Sequence, residues 1–194
     1  MVEEEYLKMI YQLEADFEAF YSFDFDVEDL LEKMPGYSQR FRAKARLPGW
    51  VEPQGGFYKG SGFIGDVECI PDISIWALGN LLLNERAYKV LSGHIDGAGE
   101  FLPVQVDDKQ YYMFNTLHVL SSQVVDLTDA VEVIDSGVHL GVSGLKVIED
   151  DLNDVDVFKM KEEKLIHSFV TDGFKRLCND AGLTGLSFRS INGV

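Results

Sequence analysis

Four histidines, two cysteines and thirty-three carboxylates are the groups with which this 194-residue chain could make or break bonds. His94, His118, His139 and His167 stand apart, none set against another histidine or a cysteine at the spacing a zinc site needs. Each reads as an ordinary core or surface histidine. Cys69 lies in the apolar run from Val67 to Ile70, and Cys178 lies among apolar residues at helical period. Both read as small buried hydrophobes rather than nucleophiles. No G-x-S-x-G turn is present to expose a serine. Glu149-Asp150-Asp151, with Asn153, Asp154 and Asp156, offers many oxygens, but it lacks the residue order and closing glutamate of a calcium loop. It reads as a solvated acidic turn, with weak cation binding as the other reading. Gly60-Ser61-Gly62-Phe63-Ile64-Gly65 is literally G-x-G-x-x-G. A dinucleotide site needs that motif to open a helix. Here it leads into Asp66-Val67-Glu68-Cys69-Ile70-Pro71, which has no helical face, so the match is a product of a glycine-rich loop. No pair of carboxylates stands out. The expectation is a chain without catalytic residues, metal or cofactor.

The totals bound what could position such groups. The composition is globular, 46% hydrophobic and 26% charged, and this length can bury a large core without disulfides. The net charge of −16 argues against nucleic acid and against an anionic membrane surface. It suits a basic protein partner, and it serves solubility equally well. Up to Lys33 there are eleven acids and two bases, so the acidity is concentrated at the front. That front is either a docking face for a cationic partner or a solvated surface. The acidic start, Met1-Val2-Glu3-Glu4-Glu5, is unlike the basic start of a signal peptide. No apolar run reaches the ~18 residues a membrane span needs. The expected location is a reducing cytoplasm.

Taken in order, Tyr6, Ile10, Leu13, Phe17 and Phe20 recur at helical spacing and predict a helix over 5–21. Asp26 to Lys33 predicts a second acidic helix, with Leu30 and Leu31 inward and Pro35-Gly36 as its stop. Arg40, Arg42, Lys44 and Arg46 alternate with apolar residues and predict a strand. Its cations either hold an anion or pair with the acidic helices. Residues 48–66 are loop-rich and carry Trp50, Phe57, Tyr58 and Phe63, candidate contact aromatics. Strands over 101–106 and 111–114 form a hairpin about Asp107-Asp108. Several short strands fill 117–148, and Val155 to Met160 alternates as another.

Two segments share a strand, helix, strand pattern. In 84–106, Leu81-Leu82-Leu83 precedes the capping residue Asn84, then Ala87, Val90 and Leu91 on one face, Gly93 as a stop, and strand 100–106. In 171–190, Ile166 to Val170 precedes Thr171 as a cap, with Phe174, Leu177, Cys178 and Ala181 on one face. Gly182 ends that helix, and Leu186 and Phe188 face one way on the returning strand. The two align loosely, Leu83 with Val170 and Leu91 with Cys178. They are either an internal repeat or similar local solutions. The fold class this predicts is α+β, a mixed or antiparallel sheet with N-terminal helices and these two units. Residues 1–70 form an acidic, loop-rich region packed on an α+β domain over 71–194.

A family resemblance rests on particular residues. Leu82-Leu83-Asn84-Glu85 precedes a short helix, followed by Glu100-Phe101-Leu102-Pro103-Val104 and Tyr111-Tyr112-Met113-Phe114-Asn115. Val157-Phe158-Lys159-Met160 comes later. Phe169-Val170-Thr171-Asp172-Gly173-Phe174-Lys175 and Gly182-Leu183-Thr184-Gly185-Leu186-Ser187-Phe188 close the chain. In this order and spacing, residues 71–191 resemble the bacterial Imm-eleven immunity-protein family, typified by a myxobacterial immunity domain. The resemblance implies a cytosolic protein that is not an enzyme and that neutralises a cognate toxin, one the acidic charge suggests is basic. It brings no catalytic residues. The expected partner-binding residues lie where it does not reach: Asp24, Asp26, Glu28 and Asp29 on the acidic front, and Trp50, Phe57, Tyr58 and Phe63 in the aromatic loop. An enzyme with a carboxylate or metal-assisted site, or a self-associating scaffold, is the alternative. A deep cleft lined by titrating acids would mark the first, and a mass that changes on dilution the second.

Overall fold

The computed structural model describes residues 9–38, 40–66, 68–77, 79–120, 124–136, 138–147 and 152–191. The front half contributes β1 (Ile10–Ala15), β2 (Ser22–Phe25), α1 (Val27–Lys33), β3 (Gln54–Tyr58), β4 (Ile73–Trp76) and β5 (Asn80–Leu83). Helix α2 (Glu85–Ile95) leads into β6 (Gly99–Val106), β7 (Lys109–Thr116), β8 (Val119–Leu120) and β9 (Val125–Asp126). Then come β10 (Val131–Asp135), β11 (Val138–Ser143), β12 (Lys146–Val147) and β13 (Val157–Met160). The chain closes with β14 (Phe169–Thr171), α3 (Asp172–Asp180) and β15 (Leu186–Ser190).

These strands make two large mixed sheets. One has the order β2-β3-β6-β7-β5-β4 and the other β15-β1-β14-β13-β8. The pairs β10-β11 and β9-β12 stand apart as two-stranded ribbons. The α+β class holds, but strand dominates.

Each large sheet separates two cores, and this decides how its strands read. In β5, Leu81 and Leu83 enter a middle core while Leu82 enters a second core on the other face, all at 1% exposure or less. The six-stranded sheet curls around that second core. Its outer strands β2 and β4 meet through the Trp76 indole N–H, which donates to the Asp24 carboxylate at 3.0 Å, and through Phe25 and Trp76 rings 4.7 Å apart. In the five-stranded sheet, β1 sends Tyr11 and Leu13 to the middle core and Ile10 to a third.

That double burial explains the main departure from expectation. The predicted helix over 5–21 is instead β1 followed by turns, and residues 5–8 lie outside the described set. A strand covered on both faces loses its polar alternation. The remaining apolar residues then mimic helical spacing by chance. The predicted second helix forms as α1, with the Asp26 carboxylate accepting from the N–H groups of Glu28 and Asp29. Leu30 is buried as expected, but Leu31 is 51% exposed. Among the described residues, α1 is the one of the expected N-terminal helices that forms. The Arg40 to Arg46 stretch is not a strand, because Arg42 and Ala43 both take positive φ, which breaks the pleat after the buried Phe41.

The hairpin of β6 and β7 turns at Asp107-Asp108 (φ 46 and 59), the left-handed pair of a type I′ turn. Pro103 is tolerated in β6 because β3 pairs only with Gln105 and Val106 on that side. The Trp50 indole N–H donates to the Pro103 carbonyl at 2.8 Å.

The two strand, helix, strand segments are topologically alike. Strands β5 and β6 each run antiparallel to β7, so they are parallel to one another across it, joined by α2. Strands β14 and β15 bear the same relation to β1, joined by α3. Each is a split β-α-β unit with a third strand inserted. The aligned pairs Leu83 with Val170 and Leu91 with Cys178 all lie in the middle core, so the apolar faces of both helices fill one space. Asn84 caps α2 through its side chain, and α2 runs past Gly93 to Ile95. Thr171 precedes α3 but does not cap it with its hydroxyl, which donates instead to the Asp154 carbonyl and accepts from the Asp156 N–H.

Candidate functional site

The eight residues expected to meet a partner occupy two kinds of place. Asp24 holds Trp76, Asp26 caps α1, and Asp29 accepts from the Gln54 N–H at 2.7 Å while pairing with Lys33 at 2.8 Å. The Lys33 pair and the Gln54 N–H lower the Asp29 carboxyl below its ordinary range against a burial effect of opposite sign. Trp50 and Phe57 are half-buried against the second core. Phe63 is 7% exposed, edge-on to Tyr21 and under the Lys59 ammonium. Glu28 and Tyr58 face solvent, and α1 also exposes Glu32, Val27 and Leu31.

A cleft of about 600 Å³ opens elsewhere, between β1 and the β10-β11 ribbon. Its apolar lining comes from Leu13, Ala15 and Phe17 after β1, Ile75 of β4, and Val133 and Val142 of the ribbon. Its polar lining is ordered by hydrogen bonds. Arg189 of β15, opposite Gln12 in register, donates from Nε to Glu14 at 2.6 Å and from Nη2 to Gln12 at 2.5 Å. His167 Nδ1 lies 3.2 Å from a Glu163 carboxylate oxygen, and the other oxygen accepts from the Val142 N–H. Lys164 pairs with Glu132 at 2.9 Å. The segment from Glu163 to His167 therefore grips both strands of the ribbon. Gly141 is required where it stands. Its φ is +138, and a Cβ there would come within 3.4 Å of both Glu163 oxygens.

The cleft's lining has the chemistry of contact: an apolar floor, and polar groups engaged with one another. A second histidine is likewise set against an acid, His118 Nδ1 lying 3.2 Å from the buried Asp156 carboxylate. Among the described residues, no group of three or more His, Cys, Asp and Glu is placed to hold a metal ion. Part of the acidic run at 149–156, residues 149–151, lies outside the described set. Cys178 is buried in the middle core, and burial pushes its thiol up to about 12. Cys69, expected buried, is only half-buried. No helix among the described residues is long and apolar enough to cross a membrane.

The glycine-rich hexapeptide also finds its place here. It forms a turn with no helix after it, and its Ile64 N–H donates to the Glu18 carbonyl at 3.0 Å. The Phe17 ring packs so close to Gly62 that a Cβ there would stand 2.5 Å from it. Apart from neighbouring acids, nothing in the sequence marked Phe17 or Val133 as surface residues. The acids flanking each, Asp16 and Glu18 around one and Glu132 before the other, were the available signal.

The chain is α+β, with two mixed sheets and a largely apolar cleft lined on one side by the β10-β11 ribbon. The model of the Immunity protein family (Imm11) matches residues 53–193, and the chain belongs to that family. The match covers residues 71–191 and extends forward through β3 and the glycine-rich hexapeptide, so Phe57, Tyr58 and Phe63, expected outside the family's reach, lie inside it, while Asp24, Asp26, Glu28, Asp29 and Trp50 lie outside. No curated protein matches the chain.

Proposed function

We propose that this chain is an immunity protein that binds one cognate antibacterial toxin and blocks it by occlusion, with no bond-making of its own. Membership of the immunity family carries the reading. The charge of −16 supports a basic toxin, because complementary potentials speed and orient encounter. The acidic front is the proposed steering region. There α1 presents Glu28 and Glu32 to solvent beside Val27 and Leu31, and among the described residues neither acid is in an ion pair. Tyr58, 50% exposed, is a further contact candidate. Asp24, Asp26, Asp29, Trp50, Phe57 and Phe63 then shape that front from within.

The test is purification together with the protein encoded by the adjacent gene, followed by titration of that protein's toxic activity. Complete suppression near one-to-one stoichiometry, with an association rate that falls as salt rises, is the expected result. Association that ignores salt would remove the electrostatic part. Toxic activity untouched by a saturating excess would overturn the reading.

A further inference from the structure

The cleft and its two banks carry an exposed apolar strip that the fold does not cover. On one bank Phe17 is 55% exposed and Ile64, held beside it by the Glu18 carbonyl, is 79% exposed. On the other bank Val133 is 39% exposed, Val131 62% and Ile134 58%. Phe17 and Val133 both line the cleft. Exposed apolar side chains scattered singly are ordinary on a protein surface, but several of them grouped at and beside a cleft point to an interaction site. The ribbon adds to this. Among the described residues β10 and β11 pair with no other strand, so β10 keeps an outer edge that no strand covers, while Glu163 takes the Val142 N–H of β11. The strip is also tied to the rest of the fold. Glu163 fixes β11, Lys164 fixes β10, and Gly62 seats the Phe17 ring. A preformed surface loses little conformational entropy when it binds.

The charges along the strip choose the occupant. Asp16 and Glu18 flank Phe17, and among the described residues neither is in an ion pair. Arg189, the cation that lines the cleft, is engaged by Glu14 and Gln12. An apolar strip edged by unneutralised acids fits a surface with an apolar side chain beside lysines or arginines. A second copy of this chain would bring the same acids and a further −16 of charge.

We propose that the cleft between Phe17 and Val133 is the anchoring site for the toxin, taking an apolar side chain flanked by cations. This rests on the immunity reading and adds to it a division of labour: the acidic front governs the rate of encounter, and the cleft governs how long the complex lasts.

The experiment uses the full chain and the purified product of the adjacent gene. Phe17→Lys and Val133→Lys are each compared with Glu28→Lys, with thermal midpoints checked first, since all three positions are exposed. Each cleft variant is expected to weaken binding at least tenfold through faster dissociation. Glu28→Lys is expected to slow association and leave dissociation within twofold. Amide exchange should be slowed in the complex over residues 14–18 and 131–134. Cleft variants that bind as the unaltered chain does, with no protection there, would overturn the inference and leave the immunity reading standing. A dimer that Phe17→Lys dissolves would assign the strip to a second copy and overturn it as well. An unaltered chain that fails to bind the adjacent product would sink the immunity reading and this inference with it.

Discussion

The Asp72 carboxylate and the Arg86 guanidinium meet at 2.8 Å, and between them they tie the start of one split β-α-β unit to the end of the other. Asp72 accepts from the Asn84 amide at 2.8 Å, next to the cap of α2. It also accepts from the Thr184 N–H and hydroxyl, both at 3.1 Å, beyond α3. Arg86 then donates onward to the carbonyls of Ala181 and Gly182, where the helix leaves acceptors without partners. The aspartate is 11% exposed and the arginine 53%, so the value of the node lies in hydrogen bonds around a largely buried acceptor more than in a surface ion pair.

Removal of that acceptor should therefore be felt at both units. Asp72→Ala is expected to lower stability by about 2–3 kcal/mol, since it strands several donors at once. Arg86→Ala should cost about 1 kcal/mol, because half the side chain is already in water. The double variant should cost less than the two together, with a coupling of at least about 0.5 kcal/mol. Urea unfolding of the four proteins measures this. Strict additivity would mean that the two residues act independently.

Lys159 makes stability depend on pH in a direction opposite to most lysines. It sits in β13 at 0% exposure, with the Leu165 carbonyl 3.5 Å from its Nζ, and burial lowers its pKa from 10.5 to about 8. Between those two values the unfolded chain holds a proton that the folded chain has released. Stability should then rise with pH above about 8, at a limiting slope of ~1.4 kcal/mol per unit from this one group, until the buried Cys178 thiol, raised from 9.0 to about 12, offsets it above about 9. Below about 8 both states are protonated and the dependence vanishes. Lys159→Met should abolish the alkaline rise. A rise of the same size in the variant would assign it to another group.

The two thiols should separate cleanly in a labelling experiment. Cys178 is 2% exposed in the middle core, with its thiol pushed up to about 12, so almost no thiolate exists at neutral pH. Cys69 is half-buried in the segment before β4. A thiol-reactive disulfide reagent on the native chain should modify Cys69 in seconds to minutes. Cys178 should react only at the rate of unfolding. Two equivalents reacting together without denaturant would show that the middle core opens far more readily than its packing implies.

How far the sequence could be read depended on whether an element's evidence was local. Asn84 before an apolar face and Asp107-Asp108 between alternating runs are short-range signals, and α2 and the β6-β7 hairpin form where they point. Strand β1 was illegible because its partners, β14 and β15, lie more than 150 residues away, and cores on both its faces erased the alternation. The same distance hid the cleft. Phe17 and Val133 are brought together only by the placement of the ribbon, and at helical spacing Phe17 passed for a core residue. The acidic front was visible in composition, but whether an acid faces solvent, as Glu28 does, or is engaged, as Asp24 is by Trp76, depends on tertiary neighbours.

The grip on the ribbon gives the last prediction. Glu163 is wholly buried yet accepts from the Val142 backbone and faces His167, and Gly141 leaves it the room to do so. Glu163→Gln keeps the shape but exchanges a charged acceptor for a neutral amide with one acceptor oxygen, so it can satisfy the Val142 N–H or the imidazole but not both as well. Gly141→Ala forces a side chain into a left-handed backbone beside that carboxylate. Both should free the ribbon before they unfold the chain. Faster amide exchange is expected over 131–143, with the split β-α-β units unchanged. If the cleft anchors the toxin, both variants should also shorten the life of the complex without slowing its formation. Loosening of α2 and α3 along with the ribbon would mean that the ribbon is part of the main cooperative unit and not a separately held arm.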